Sequence, residues 1–339
     1  MTNRKKIAKI DTMKQKTICL FFGICGGCLY QDLPEAEYLD KKLSFIRRAF
    51  SDYGIEVYPE PVRTVPLHSR RRASFSFAGG RIGYNALKSH KIVEITECRL
   101  LRPEIVSFLP ELKNWAQKLG GAGDVFILTT DFGLDIHIKA KEKHLDLKRL
   151  ELLALLGQDE RVARLIYNNE PIAEKVKLPL KPDDFLQPSK EGEETLISLV
   201  LNGIDSGKKG VDLFCGAGTF TRPLLNAGFI VTGYDCSESV ELLGNRGIVR
   251  DLFRNPLLPD ELNGLDFVVL DPPRAGARAQ TEQIAQTQIP KIVMVSCSPQ
   301  TAARDSRILL NAGWHITRLT PVDQFKWSNH IELVLVLEK

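Results

Sequence analysis

The sequence predicts an α/β protein built around a doubly wound sheet. Strand-like apolar runs alternate with segments of helical composition, with strands at 210–214, 229–235, 266–270, 291–295 and 331–337 and helices at 279–288 and 301–312. The first strand runs into a glycine-rich turn, and the second ends in a carboxylate. Strands that alternate with helices form doubly wound sheets, which bind ligands at the carboxyl ends of their strands.

The glycine-rich turn after the first strand predicts a nucleoside pocket. Gly216 and Gly218 allow the backbone to approach a ligand closely. No Gly-Lys-Ser/Thr follows, and the spacing departs from the dinucleotide fingerprint, so a nucleoside without pyrophosphate fits better. Asp235 ends the next strand and either holds ribose hydroxyls or is an ordinary strand end.

A thiol closes a later strand of the same predicted sheet. Cys297 follows the run 291–296 and lies after an Asp-Pro-Pro-Arg motif that begins at Asp271. A thiol beside a pocket for S-adenosylmethionine (SAM) suggests methyl transfer to a carbon atom that needs covalent activation.

Length and composition predict two domains. The chain has 339 residues, 43% of them hydrophobic and 26% charged, as in an ordinary globular protein. Proline and charged residues at 179–184 and Pro188 interrupt regular structure. We therefore divide the chain into residues 1–180, with a part expected to be mostly β, and residues 181–339.

Positive charge is concentrated near the N-terminus, although the net charge is only +4. Residues 1–20 and 61–100 are basic, and three arginines at 70–72 precede Phe75 and Phe77. Guanidinium groups beside aromatic rings are typical of RNA-binding strands. The alternative is a solvated strand edge with two core phenylalanines.

An apolar run at 18–28 follows the basic start of the chain. It is short, it is interrupted by glycine and cysteine, and no Ala-x-Ala-like cleavage site follows it. No stretch approaches the roughly 18 apolar residues that span a bilayer. We expect a cytoplasmic protein that does not contact membranes.

Four of the seven cysteines suggest a metal centre. Cys19, Cys25 and Cys28 lie close together in the sequence, and Cys98 ends the basic segment. Four thiolates can hold a [4Fe–4S] cluster or a zinc ion, and three close cysteines plus a distant one favour the cluster. Cys215 and Cys236 lie at strand ends and are interpreted as small buried hydrophobes.

Together these motifs resemble the bacterial RNA uracil-C5 methyltransferases, which make 5-methyluridine in tRNA and 23S ribosomal RNA. The resemblance covers nearly the whole chain. It rests on the four cysteines, Phe-Leu-Gln ending at Gln187, Asp-Leu-Phe-Cys-Gly-x-Gly-x-Phe from Asp212, Asp-Pro-Pro-Arg-x-Gly from Asp271, Ser-Cys-x-Pro from Ser296 and His-x-Glu from His330. The order and spacing of these motifs make the resemblance specific.

The resemblance implies a fold, cofactors and roles for individual residues. The C-terminal part would be a class I, Rossmann-like SAM-dependent methyltransferase domain, after an N-terminal iron–sulfur segment and the β part. The SAM site would be lined by Gln187, Phe214, Thr219, Asp235 and Asp271. Cys297 would be the nucleophile and Glu332 the base, and Cys19, Cys25, Cys28 and Cys98 would ligate a [4Fe–4S] cluster.

The cluster ligands point to the ribosomal branch of the family, and hence to 23S rRNA as the partner. The N-terminal TRAM barrel of some relatives is not expected, because only 18 residues precede Cys19. No obligate protein partner is implied. The chain departs from the usual family residues at Ser189, Thr219, Asp235 and 326–329.

Three other functions remain open at this stage. A tRNA 5-methyluridine methyltransferase would share the chemistry. An amino-group methyltransferase normally has an aromatic residue where Arg274 stands. A non-enzymatic iron–sulfur RNA-binding protein would have no use for Cys297 with Glu332.

Overall fold

The computed structural model describes residues 18–142, 145–179 and 186–339. Within them lie an eight-stranded and a seven-stranded sheet. The strands are β1 (Arg63–Thr64), β2 (Arg72–Ala78), β3 (Arg81–Asn85), β4 (Ile92–Val93), β5 (Ala122–Thr130), β6 (Gly133–Ala140), β7 (Val162–Tyr167), β8 (Glu170–Glu174), β9 (Lys209–Leu213), β10 (Ile230–Asp235), β11 (Gly247–Val249), β12 (Phe267–Leu270), β13 (Lys291–Ser296), β14 (His315–Asp323) and β15 (Glu332–Glu338).

The helices connect and cover these strands. They are α1 (Glu35–Ser51), α2 (Pro103–Leu119), α3 (Leu147–Gln158), α4 (Lys190–Gly203), α5 (Thr221–Asn226), α6 (Pro259–Leu262), α7 (Arg278–Ile284) and α8 (Pro299–Asn311), with a 3₁₀ segment at Glu238–Arg246. None of the helices in the described ranges is long and apolar enough to cross a membrane.

The eight-stranded sheet confirms the prediction of a doubly wound α/β fold. Its order is β1-β14-β15-β13-β12-β9-β10-β11, and only β15 runs antiparallel to its neighbours. The strand order reverses between β9 and β12, which creates a crevice at the carboxyl ends of the strands. Every residue of β12 and β13 is buried, as expected for strands covered on both faces.

Helices cover both faces of this sheet, and α1 is one of them. Ile46 and Phe50 of α1 are fully buried in the same core as Leu309 of α8 and Met294 of β13. Strand β1 pairs with β14 at the edge of the sheet. The segment around α1 and β1 thus packs with the C-terminal domain, which differs from our division into 1–180 and 181–339. The physical reason is that the apolar face of α1 needs the sheet to cover it. The predicted boundary at 181 lies outside the described residues.

The seven-stranded sheet, in the order β4-β3-β2-β5-β6-β7-β8, forms the predicted β part, with α2 and α3 packed against it. Phe75 and Phe77 of β2 are 0% and 2% exposed and belong to the core beneath α2. The hypothesis that these two rings bind RNA is therefore wrong. They are core residues, as the alternative expected, but β2 pairs with β3 and β5 and is not a strand edge. Alternation along the strand turns the rings inward.

The arginines at the start of β2 join the two sheets. Arg71 donates from Nε to the carbonyl of Gln187 at 2.9 Å and forms an ion pair with Glu193 at 2.6 Å. Arg72 donates to the carbonyl of Leu186 at 2.8 Å. Both side chains are half-buried, so these contacts hold the β part against the C-terminal domain.

Candidate active site

The predicted site residues meet at one edge of the eight-stranded sheet. Phe214, Asp235, Asp271 and Cys297 directly follow or end β9, β10, β12 and β13, which are neighbouring parallel strands. The carboxyl ends of these strands surround the crevice where the strand order reverses.

The glycine-rich turn after β9 is shaped for close approach. Phe214 has a φ of 64°, a left-handed conformation that is rare for a residue with a side chain. Gly218 has a φ of 93°, and a Cβ there would lie 2.5 Å from Leu243. Thr219 is half-buried in the same turn, just before α5. A Cβ at Gly216 would meet nothing within 4 Å, so the backbone is open there.

Asp235 is held by backbone donors at the end of β10. One carboxylate oxygen accepts from the N–H of Gly216 at 2.9 Å and the other from the N–H of Ser237 at 2.7 Å. Each oxygen has two lone pairs, so both can still accept a hydroxyl from a ligand.

Gln187 is buried and is oriented by a second amide. Nε2 of Gln324 donates to Oε1 of Gln187 at 2.9 Å, and both side chains are 3% exposed. This bond assigns the oxygen end of Gln187 to Gln324 and leaves its two N–H donors for other partners. Sequence reasoning missed Gln324, because a glutamine after a strand carries no distinct signal.

Cys297 and Glu332 are brought together by the register of two antiparallel strands. Ser296, the last residue of β13, pairs with Leu333 of β15. Continued by one residue, this register sets Cys297, which follows β13, opposite Glu332, the first residue of β15. Opposed residues of antiparallel strands have Cβ atoms about 5 Å apart. The sequence predicted both residues, and the sheet supplies their adjacency.

Burial and the neighbouring carboxylates weaken the acidity of the thiol. They raise the pKa of Cys297 to about 11, through desolvation first and then the charges of Glu332 and Asp271, while Arg274 acts in the opposite direction. Cys297 also immediately precedes the capped N-terminus of α8, whose dipole favours a thiolate. The thiol is therefore protonated at neutral pH until a ligand or a base changes its surroundings.

Glu332 has the properties of a proton acceptor that works near neutral pH. It is 5% exposed, and burial raises its pKa to about 7, although Arg274 lowers it. A general base works best when its pKa lies close to the working pH. Asp271 is also affected, because burial and then the charge of Glu332 raise its pKa well above the ordinary value.

Arg274 connects the Asp-Pro-Pro-Arg motif to the strand that bears Glu332. Its Nη2 contacts Nδ1 of His330 at 2.5 Å. Burial, followed by the charge of Arg274, lowers the pKa of His330, which favours a neutral ring that accepts from the guanidinium. The sequence motif included His330 without assigning it a role.

The segment 324–331 between β14 and β15 is held by α1. Lys42 is fully buried, forms an ion pair with Asp323 at 3.0 Å and donates to the carbonyl of His330. The Tyr38 hydroxyl donates to Asp323 and accepts from the N–H of Trp327 at 2.8 Å. Lys42 stands one turn from Tyr38 and one turn from Ile46 on the apolar face of α1, and a lysine there is the signal that sequence reasoning could have used.

The loop at 19–30, which carries Cys19, Cys25 and Cys28 and is called the cysteine loop below, holds the same segment from the other side. The N–H groups of Leu29 and Tyr30 both donate to the carbonyl of Trp327, at 2.7 and 3.2 Å. Trp327 has a φ of 61°. The path of the chain from Trp327 to Glu332 thus depends on contacts made by residues far away in the sequence.

The four predicted ligand cysteines line one cavity. Cys19, Cys25, Cys28 and Cys98 surround it, together with apolar side chains and Arg70. Burial and then the neighbouring thiolates raise the pKa of Cys28 to about 12. With its pKa raised this far, Cys28 is a neutral thiol unless a bound cation lowers that pKa.

A single ion and a cluster would need different placements of the four sulfurs. Among the described residues, no three His, Cys, Asp or Glu side chains converge closely enough to hold one metal ion. A tetrahedral zinc needs all four sulfurs about 2.3 Å from one point, whereas a [4Fe–4S] cluster binds each sulfur through a different iron. As placed here, the four sulfurs therefore do not fit a single tetrahedral ion.

Comparisons with known proteins show similarity to RNA methyltransferases. A family model described as tRNA (uracil-5-)-methyltransferase matches residues 257–339. An RNA methyltransferase of Brucella suis, named as uncharacterized, is 36% identical over 96% of this chain and 85% of the relative. The 23S rRNA (uracil(1939)-C(5))-methyltransferase RlmD of Salmonella choleraesuis is 27% identical over 95% of this chain and 81% of the relative.

A solved structure shares the fold. The tRNA (uracil-54, C5)-methyltransferase of Pyrococcus abyssi, in complex with S-adenosyl-L-homocysteine, is similar with a TM-score of 0.68 and 22% identity. The similarity covers 91% of this chain and 84% of the other. It extends through both sheets.

Proposed function

Because the chain belongs to the bacterial RNA uracil-C5 methyltransferase family, we propose that it methylates carbon 5 of a uridine in 23S rRNA through a covalent adduct on Cys297. The observation that carries the mechanism is the register that sets Cys297 opposite Glu332. SAM supplies the methyl group.

The reaction needs both side chains because carbon 5 of uracil is a poor nucleophile. The Cys297 thiolate attacks carbon 6, and the electrons of the 5,6 double bond move onto carbon 5 and the adjacent carbonyl. Carbon 5 takes the methyl group, Glu332 takes the proton from carbon 5, and the double bond re-forms as the thiolate leaves. Arg274 favours the anionic form of the thiol, because its charge lowers the pKa of Cys297.

We assign SAM binding to Gln187, Phe214, Thr219, Asp235 and Asp271. Four of these residues lie at or just beyond the carboxyl ends of neighbouring strands, which supports the assignment. The fifth, Gln187, is oriented by Gln324. Asp235 would accept from the ribose hydroxyls.

The mechanism is tested with two variants that fail at different steps. Cys297→Ala should form neither product nor adduct. Glu332→Gln should attack and methylate but stall before elimination, and should accumulate a protein–RNA adduct that survives denaturing electrophoresis. The adduct should disappear in the double variant. Near wild-type turnover by Glu332→Gln would identify another residue as the base.

The assignment to 23S rRNA rests on the cysteine quartet and on similarity to the Salmonella relative. Mapping of 5-methyluridine in rRNA and tRNA, from cells with and without the gene, tests it. Loss of the modification in tRNA alone would instead identify a tRNA enzyme.

We also propose that Cys19, Cys25, Cys28 and Cys98 hold a [4Fe–4S] cluster. The cavity that the four side chains share supports it. Protein purified without oxygen should contain about four irons per chain, and Cys98→Ser should lose iron as completely as Cys25→Ser. Stoichiometric zinc without iron would contradict the proposal.

A further inference from the structure

The side of the seven-stranded sheet that faces away from its phenylalanine core carries an exposed aromatic ring. Ser74 and Ser76 alternate with the buried Phe75 and Phe77 along β2 and therefore point to the opposite side. Phe126 of β5 pairs with Ser74 and is 37% exposed. Phe126 thus presents part of its ring on the face opposite the phenylalanine core.

Polar and cationic groups surround this ring. Nζ of Lys139 lies 5.6 Å from the centroid of the Phe126 ring, and the His137 ring lies 6.3 Å away. Asn85 donates to the Ser76 hydroxyl, and this hydroxyl donates at 2.8 Å to Asp124, the cross-strand partner of Lys139. The surroundings combine a flat apolar face with positive charge and with amide and hydroxyl groups.

The ring lies in a groove that leads toward the cysteine loop. The groove has a volume of about 440 Å³, and its lining includes Phe126, Ser74, Lys88 and the loop glycines Gly26 and Gly27. Two residues further along the chain, the same loop binds the carbonyl of Trp327 in the segment that leads to Glu332. One end of the groove is thus formed by a loop that is bonded to the segment preceding Glu332.

We propose that this groove binds single-stranded nucleotides that flank the target uridine, with one base stacked on Phe126 and the backbone phosphates near Lys139 and Lys88. Aromatic rings on a sheet stack bases of any type, and lysines follow the phosphates. Single strands fit because a duplex hides the faces of its bases. This proposal rests on the proposed RNA substrate and relocates the RNA contact away from Arg71 and Arg72, which join the sheets.

The ring is tested by substitution against a matched phenylalanine. Phe132, in the turn between β5 and β6, is 61% exposed and is not part of the groove lining. Phe126→Ala should weaken binding of a labelled oligouridylate by about 5- to 100-fold, Phe126→Trp should restore it, and Phe132→Ala should leave it unchanged. Thermal melting and SAM binding should match the wild type in all three variants.

The phosphate contact is tested through the salt dependence of binding. Lys139→Gln should reduce the log–log slope of affinity against salt by about 0.7, whereas the exposed Lys141→Gln should not change it. The groove assignment is overturned if Phe126→Ala binds as the wild type does, if Phe132→Ala loses as much affinity, or if the wild type binds only a duplex of equal length.

The outcome is separable from that of the proposed function. Wild-type protein that binds the oligouridylate through Phe126 but makes no 5-methyluridine in any RNA would refute the activity and keep the groove. If the Phe126→Ala variant methylates subsaturating RNA as efficiently as the wild type does, the groove is refuted and the activity is kept.

Discussion

At the scale of single residues, the site is defined by side chains whose chemistry is altered by burial. Glu332 is nearly inaccessible and is a carboxylate with a pKa of about 7. Cys297 has a pKa of about 11 beside two carboxylates. Such groups reduce the stability of the folded protein and are found where catalysis needs them.

Glu332 should make stability depend on pH. The pKa of Glu332 is raised from 4.5 to about 7 in the folded protein. As pH rises, the unfolded chain therefore loses this proton at lower pH than the folded protein does, and the free energy of unfolding falls between pH 4.5 and 7. Glutamine does not titrate, so Glu332→Gln should be more stable than the wild type by up to roughly 3 kcal/mol at pH 8 and by much less at pH 5. Urea unfolding at both pH values measures the difference. The exposed Glu37→Gln is the control, and an equal effect of Glu332→Gln at both pH values would contradict the shift.

The same pKa should also govern turnover. Glu332 accepts a proton only when ionised, so the rate of adduct breakdown should rise as pH increases through about 7 and level off above it. Single-turnover decay of the adduct measures this rate. A flat profile from pH 6 to 8 would mean that elimination uses another base.

Gln324 should act on SAM through Gln187. Gln324→Leu removes the donor that orients the Gln187 amide, so SAM affinity should fall by about 3- to 10-fold, the value of one hydrogen bond. Isothermal titration with SAM measures the change, and the exposed Gln286→Leu is the control. Unchanged affinity would show that Gln187 does not need this partner.

At the scale of elements, the hairpin of β14 and β15 depends on α1. The segment 324–331 between these strands leads to Glu332 and is bonded by Lys42 and Tyr38 on one side and by the cysteine loop on the other. Helix α1 therefore contributes to the geometry of the active site as well as to the core.

Tyr38→Phe tests this dependence with little change in packing. It removes the hydroxyl that bridges Asp323 and Trp327. The free energy of unfolding should therefore fall by about 1–3 kcal/mol. The rate of adduct breakdown should also fall, while the KM for SAM should not change. Tyr53→Phe, at an exposed position beyond α1, should alter neither quantity. Lower stability with a normal breakdown rate would limit Tyr38 to a structural role.

At the scale of the whole molecule, the catalytic domain is discontinuous in sequence. Ile46 and Phe50 of α1 fill the core of the eight-stranded sheet, and Arg71 binds the backbone just ahead of α4 from the second sheet. The two parts of the chain are therefore expected to fold as one structure.

Separate fragments should reveal this interdependence. Fragment 181–339 expressed alone would expose the apolar surface that packs against α1, so it should aggregate. Coexpression with fragment 1–180 should give a complex of the two fragments that purifies as one species. Phe50→Ala in fragment 1–180 should weaken the complex, because truncation of a buried phenylalanine costs about 3–5 kcal/mol. A monomeric, cooperatively unfolding 181–339 fragment would contradict the expectation.

The sequence by itself determined the α/β class, the strand that ends in Asp235, the strand that Cys297 follows, and the residue types of the site, because apolar periodicity and motif spacing are local properties. The order of strands was decided by tertiary structure, and only that order sets Glu332 opposite Cys297. Burial likewise depends on distant parts of the chain, which is why Phe75 enters the core while Phe126 stays exposed on a similar strand. The roles of Lys42, Tyr38 and Gln324 arise from contacts between residues far apart in sequence, and no local pattern specifies such contacts.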